Sequence, residues 1–165
     1  MNSMKRIAEI FRGKRLGKIK IEVKRVSVDG SWKPVLEDLA KYALQRGYVK
    51  DSFIPALIKR ETEYPTGLEI PNGVNVAIPH AEVEHVLEQA LLIGVPSKPV
   101  KFHSMEDPNK LIDVNLILLL IISNPDGYVK FLSKLTLLFQ DKDFISYTKS
   151  GRYEDLGRLI AERCL

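Results

Sequence analysis

A single cysteine, Cys164, excludes an internal disulfide and leaves no companion thiolate for a structural zinc site. Long apolar runs are also missing. The longest, residues 116–122, falls far short of the roughly 20 residues that cross a bilayer as a helix and reads as a buried central strand. No Gly-Lys-Ser or Gly-Lys-Thr follows a glycine-rich stretch, and no Gly-x-Ser-x-Gly elbow occurs, so the common nucleotide-cradling loop and the hydrolase nucleophile turn are both excluded. Of three histidines, His80 and His85 are five residues apart, a poor spacing for two ligands on one helical face, and no metal or cofactor is expected. The first dozen residues lack the long apolar stretch and small-residue cleavage site of a secretory signal, which leads to the expectation of a cytoplasmic protein without membrane insertion.

What is present is an ordinary globular composition: 165 residues, 45% hydrophobic and 28% charged, enough for one domain with one substantial core. Charge is uneven. The first 25 residues carry nine basic side chains against Glu9 and Glu22, a balance of +7, which leaves −3 for the rest of a chain whose net charge is +4. Residues 1–17 are read as a basic, solvated N-terminal extension and residues 18–165 as the domain. Phe11 is the only aromatic in the basic segment and no groove-reading motif accompanies it, so nucleic acid is not the expected partner.

Alternation of Ile19, Ile21, Val23, Val26 and Val28 with charged residues predicts a half-exposed strand. Ser31 then caps a helix whose apolar residues, from Trp32 to Leu44, recur at helical spacing until Gly47 stops it. Asp51-Ser52 opens a second helix that ends in Arg60-Glu61 before the breaker Tyr64-Pro65-Thr66-Gly67. Further strands are expected at residues 74–80, 90–95, 100–102 and 114–122, and helices at 128–139, 144–148 and 153–164, with Gly127 and Gly151 as separators. Strands interleaved with amphipathic helices imply an α/β fold, a mixed β-sheet flanked by helices on both faces in a single layered domain.

His80 closes the apolar run Val74-Asn75-Val76-Ala77-Ile78-Pro79, at the point where a strand leaves its sheet. Such exits are usual places for sites. An imidazole held there is largely neutral near pH 7 and is a competent nucleophile for a phosphoryl group.

The segment Val76-Ala77-Ile78-Pro79-His80-Ala81-Glu82-Val83-Glu84-His85-Val86 resembles the active-site stretch of enzyme IIA components of bacterial sugar phosphotransferase systems of the fructose and mannitol type, the galactitol branch above all. Arg60-Glu61 followed by Tyr64-Pro65-Thr66-Gly67-Leu68, Gly47-Tyr48-Val49, Pro99-Val100-Lys101-Phe102 and Leu138-Phe139-Gln140-Asp141 extend the resemblance from about Ile19 to the C-terminus. It implies that His80 accepts a phosphoryl group from the phosphocarrier protein HPr and passes it to a IIB component during sugar uptake. It also implies that Arg60 offers planar donors to the phosphate oxygens. Thr66 is expected either to donate a hydroxyl bond to phosphate or to close its turn, and His85 either to hydrogen-bond near the site or to sit on a surface loop. His103 is read as surface. Many family members carry a second active-site histidine after the buried strand, and lining up Pro125 and Leu132 puts Asp126 in its place. An ionised carboxylate there would repel phosphate. This departure keeps a second reading open, a regulatory domain of the same fold that controls a transcription or transport partner.

Overall fold

The computed structural model describes residues 8–165. Lys5 and Arg6 of the basic segment lie outside the described residues. A six-stranded mixed sheet forms the centre, made of β1 (Glu9–Gly13), β2 (Gly17–Arg25), β5 (Ala90–Val95), β8 (Leu116–Ile121), β4 (Val76–Ala77) and β3 (Gly67–Leu68) in that spatial order. β2 runs parallel to β5 and β4 parallel to β8, while the remaining pairs are antiparallel. β6 (Val100–His103) and β7 (Leu111–Val114) make a separate antiparallel hairpin.

Residues of β8 alternate between two cores, as the period of a strand requires. Leu116, Leu118 and Leu120 join Phe131, Leu135, Phe144, Leu156 and Ile160 from α3 (Pro125–Leu138), α4 (Lys142–Lys149) and α5 (Tyr153–Cys164) on one face. Ile117, Leu119 and Ile121 join Leu36, Leu39, Phe53 and Leu57 from α1 (Trp32–Gln45) and α2 (Phe53–Glu63) on the other, where the β6–β7 hairpin also packs. Helices therefore cover both faces, as expected for this α/β layout. Among the described residues no helix is long and apolar enough to cross a membrane.

Several local expectations change. Residues 9–13 are not a solvated arm, because they pair with β2 along their length. The apolar run expected as one strand over 114–122 is divided at Asn115, whose N–H donates to Asn75 O at 3.0 Å, so Val114 belongs to the hairpin and Leu116 to the sheet. Ser31 and Ser52 precede their helices without capping them through their side chains. Gly47 has a φ of 77°, the left-handed turn that stops α1. Gly127 separates nothing. It lies inside the first turn of α3, where an added Cβ would stand 2.8 Å from the Arg15 carbonyl carbon and from the Leu16 nitrogen, so only a glycine fits against that backbone. Cys164 is buried in the last turn of α5 rather than frayed, and burial pushes its thiol up to about 12.

Gln89 fastens the same junction. Its side-chain N–H groups donate to Leu16 O at 2.8 Å and Lys18 O at 2.9 Å, while its amide oxygen accepts from the N–H groups of Ser123 and Asn124, both at 3.1 Å. Asn124 in turn donates to Arg15 O at 2.7 Å and caps α3 by accepting from Asp126 N and Gly127 N. One amide thus ties the β1–β2 turn to the start of the helix that follows β8.

Candidate phosphoryl-transfer site

β4 runs parallel to β8 and ends four residues earlier, and the chain that continues from β4 alongside the end of β8 carries the centre of the site. His80 makes a parallel bridge to Leu120, and Leu120 N–H donates to Pro79 O at 3.0 Å, so the residue after Pro79 is held against the sheet although β4 proper has ended. The strand is thus shorter than expected, and its extension is a single bridge. The His80 ring is half-buried. Its Nδ1 lies 2.9 Å from Ile78 O. A carbonyl only accepts, so in the neutral ring Nδ1 carries the proton and Nε2 keeps its lone pair. Burial first, and the Arg60 guanidinium after it, hold the imidazole below its ordinary value, while the bond to Ile78 and the Glu82 carboxylate act the other way. The net result is a neutral ring with an unprotonated Nε2 at physiological pH.

Ile78 is itself braced. Its N–H donates to Thr66 O at 3.3 Å, and the Thr66 N–H and hydroxyl both donate to the Glu61 carboxylate, at 2.8 and 2.9 Å. Thr66 and Glu61 are buried, at 3% exposure each. Thr66 closes its turn and turns its hydroxyl inward to Glu61 rather than outward, so it supports the backbone that orients His80. Burial pushes the Glu61 carboxyl up to about 7 against the opposing effect of both Thr66 bonds.

Arg60 emerges from the last turn of α2. One of its terminal nitrogens lies 3.4 Å from Glu82 Oε2 and its guanidinium stacks 5.2 Å from the centre of the Tyr64 ring. His85 is placed on the far side of Glu82, with Nε2 at 3.7 Å from Glu82 Oε1 and Nδ1 at 2.8 Å from the Ser52 hydroxyl. The segment carrying both is pinned to the connection before α2 through Lys50 N–H, which donates to His85 O at 2.9 Å. Arg60, Glu82, His85 and Ser52 therefore form one chain beside His80. His103 is elsewhere, its Nδ1 bonded to Pro108 O at 2.8 Å.

Asp126 is exposed. The aromatic neighbour of His80 is Tyr128 instead, with ring centres 5.8 Å apart and planes at 57°. Sequence reasoning passed over Tyr128 and Glu82 as a helix-starting aromatic and a loop carboxylate; the signal for Glu82 was its position two residues after His80 and three before His85. Among the described residues no group of three or more His, Cys, Asp or Glu side chains is placed to hold a metal ion.

Residues 19–162 match the family described as "Phosphoenolpyruvate-dependent sugar phosphotransferase system, EIIA 2". The chain belongs to this EIIA family. It is 34% identical over 111 residues to the galactitol-specific EIIA component of Escherichia coli K12, covering 67% of this chain and 73% of that one. Two solved structures share the fold. A Streptococcus mutans protein described as a putative phosphotransferase-system IIA superposes with a TM-score of 0.64 at 18% identity, over 85% of this chain and 86% of the other. Enzyme IIAMTL of Escherichia coli, solved in complex with phosphorylated enzyme IIBMTL, gives 0.60 at 19%, over 76% and 83%. This EIIA protein is accordingly a phosphoryl carrier of the sugar phosphotransferase system, a phosphotransferase that works through a phosphohistidine intermediate.

The signs of the charges around His80 give a direct test of the geometry. Glu82 raises the ring's affinity for a proton and Arg60 lowers it, so Glu82→Gln is expected to make His80 titrate at a lower pH than in the wild type, and Arg60→Ala at a higher one. Histidine resonances followed by two-dimensional NMR across pH 4 to 8 would read this. Shifts in the same direction for both variants would remove one of the two side chains from the neighbourhood of the ring. The Arg60–Glu82 ion pair itself lies at the surface, so losing it should change stability by no more than about 1 kcal/mol.

Proposed function

We propose that His80 is the phosphorylated residue of this EIIA protein, accepting the group from HPr on Nε2 and passing it to a IIB component in the cytoplasm during sugar uptake. The observation that carries the reading is the bond from His80 Nδ1 to Ile78 O, which leaves Nε2 unprotonated. As Nε2 attacks, the phosphorus–nitrogen bond of the donor phosphohistidine breaks and its electron pair returns to the donor ring. The product ring on His80 gains positive charge, and Nδ1 keeps its proton, still donated to the Ile78 carbonyl. That retained proton keeps the ring a good leaving group for onward transfer, so one hydrogen bond serves acceptance and release. Arg60 supplies the cation for phosphate oxygens, with Glu82 holding it in readiness. Little covalent work falls to the protein, and positioning does most of it.

Exposed apolar side chains lie near these residues in the chain: Tyr64, Val83, Leu87 and Val129, at 48% to 69% exposure. Exposed apolar side chains close to charged site residues suit a protein partner that must deliver and collect a phosphoryl group repeatedly. Galactitol, named for the relative, is the first sugar to supply in an uptake assay. The regulatory reading draws on Asp126 in place of a second histidine, and the transfer reading is favoured because the charges that act on His80 are those of Arg60 and Glu82, with Asp126 not among them.

Incubation with phosphoenolpyruvate, enzyme I and HPr is expected to place acid-labile, base-stable phosphate on the peptide containing His80. A competent donor that labels a control acceptor but leaves this chain unlabelled, or labels another residue, would overturn the assignment.

A further inference from the structure

Two buried side-chain polar atoms lack any hydrogen-bond partner among the described residues, Arg60 Nε and the Tyr128 hydroxyl. Buried donors without acceptors are uncommon, and each calls for an explanation in strain, water or a ligand. Here both flank His80. The Tyr128 ring packs against the imidazole, and the Arg60 guanidinium acts electrostatically on both the His80 ring and the Tyr128 phenol. Arg60 Nε can only donate. The phenol can donate too, and because burial pushes it up to about 12 despite the nearby cation, it keeps its proton wherever the protein works. Two unspent donors beside one unprotonated nitrogen are complementary to a tetrahedral anion attached to that nitrogen.

We propose that Tyr128 is a catalytic residue of the phosphoryl site, its hydroxyl and Arg60 Nε–H together holding the phosphoryl oxygens on His80 Nε2. The inference rests on the phosphohistidine reading above and adds to it a hydrogen-bond donor, which the carboxylate of Asp126 cannot be. Neither donor gives up its proton. Each makes a hydrogen bond that strengthens as negative charge on the equatorial oxygens approaches, which is the form of stabilisation that lowers a transfer barrier. The hydroxyl is held in place rather than floating. Tyr128 N–H donates to Asn124 O at 3.2 Å, and the preceding Gly127 is seated on the Arg15–Leu16 backbone, so the first turn of α3 cannot move away from the site without breaking the junction around Gln89. Arg60 Nη1 is meanwhile taken by Glu82, which leaves Nε as the buried donor still unspent.

The test is Tyr128→Phe, which keeps the ring against His80 and removes only the hydroxyl, with Asp126→Asn beside it. Phosphorylated HPr is mixed with each protein, and both the rate of label arriving on His80 and its equilibrium level are measured. Tyr128→Phe should slow arrival by about 10- to 100-fold, the effect of one hydrogen bond to a charged group, and shift the equilibrium back toward the donor. Asp126→Asn should match the wild type. Thermal unfolding of the unphosphorylated Tyr128→Phe protein should be unchanged or raised, because the hydroxyl removed has no partner to lose. Tyr128→Phe labelling at the wild-type rate and level would overturn the proposal while leaving His80 as acceptor. Slower labelling that tracks a lowered unfolding temperature would overturn it as well, by assigning the hydroxyl a structural role. Absence of label on the wild type would strike the underlying phosphohistidine reading instead.

Discussion

Replacing His80 by asparagine or by glutamine is expected to bring phosphoryl label to background, a loss on the order of 10⁶-fold if this nucleophile resembles others that have been removed outright. The two replacements separate chemistry from structure. An asparagine amide nitrogen stands near the position of Nδ1 and can keep a donor on the Ile78 carbonyl, whereas the longer glutamine amide falls nearer to Nε2. Neither amide is a nucleophile, so both should be dead in transfer, and label surviving in either would place the acceptor elsewhere. The pH dependence of stability adds a second signature. The wild-type imidazole has a folded-state value depressed below its unfolded value, so the folded state binds fewer protons, and stability is lost as the pH falls below the ordinary histidine range. The His80 variants lack that loss. Their unfolding temperatures, compared with the wild type, should therefore improve toward pH 5 relative to pH 8, and a constant difference across that range would contradict the burial assigned to the ring.

Glu61 supplies the opposite slope and the largest expected change in stability. Its carboxyl is pushed from 4.5 up to about 7 by burial, so the folded state binds more protons than the unfolded one. The associated stabilisation is fully present below pH 4.5 and is lost as the pH rises through about 7, a total of about 3 kcal/mol at the conversion of 1.36 kcal/mol per unit. Glutamine reproduces the protonated acid: its oxygen accepts from Thr66 N–H and its amide donates to the Thr66 hydroxyl. Glu61→Gln should accordingly lose no stability between pH 5 and 8 where the wild type does, ending more stable than the wild type at pH 8. Chemical denaturation at a series of pH values reads the difference, and parallel curves would sink the assignment. Since Thr66 holds Ile78 and Ile78 holds His80, Glu61 also stands behind the support of the nucleophile.

Elements whose residues follow one period with clear stops were legible. The Ala90–Val95 strand was read at its observed bounds, and α1 and α2 followed from apolar spacing closed by Gly47 and by Tyr64-Pro65. The misses have physical causes. A continuous apolar run carries no mark of where a strand bends, so the division at Asn115 was hidden. β1 is mostly exposed and lacks alternation, and what holds it is β2, which a window on the sequence cannot see. Gly127 reads as a breaker because glycine usually is one; here it answers a backbone more than a hundred residues earlier in the chain yet in direct contact, a fact belonging to tertiary structure alone. The proposed acceptor His80 and its neighbour Arg60 stand out through the resemblance. Tyr128 does not, since an aromatic at the start of an amphipathic helix is ordinarily core, and only the missing partner of its hydroxyl marks it out.

The seat of Gly127 on the Arg15–Leu16 backbone bears on how the protein is cut for study. The family match begins at residue 19, and a border drawn there would discard the β1–β2 turn as a leader. Packing draws the border earlier. Shortened at residue 19, the chain would retain every residue that its relatives recognise, but Asn124, Gln89 and the first turn of α3 would face water where they now face Arg15, Leu16 and Lys18. Such a fragment would keep its acceptor and let the adjoining tyrosine drift, so a poor transfer rate measured on it would report the trimming and not the chemistry.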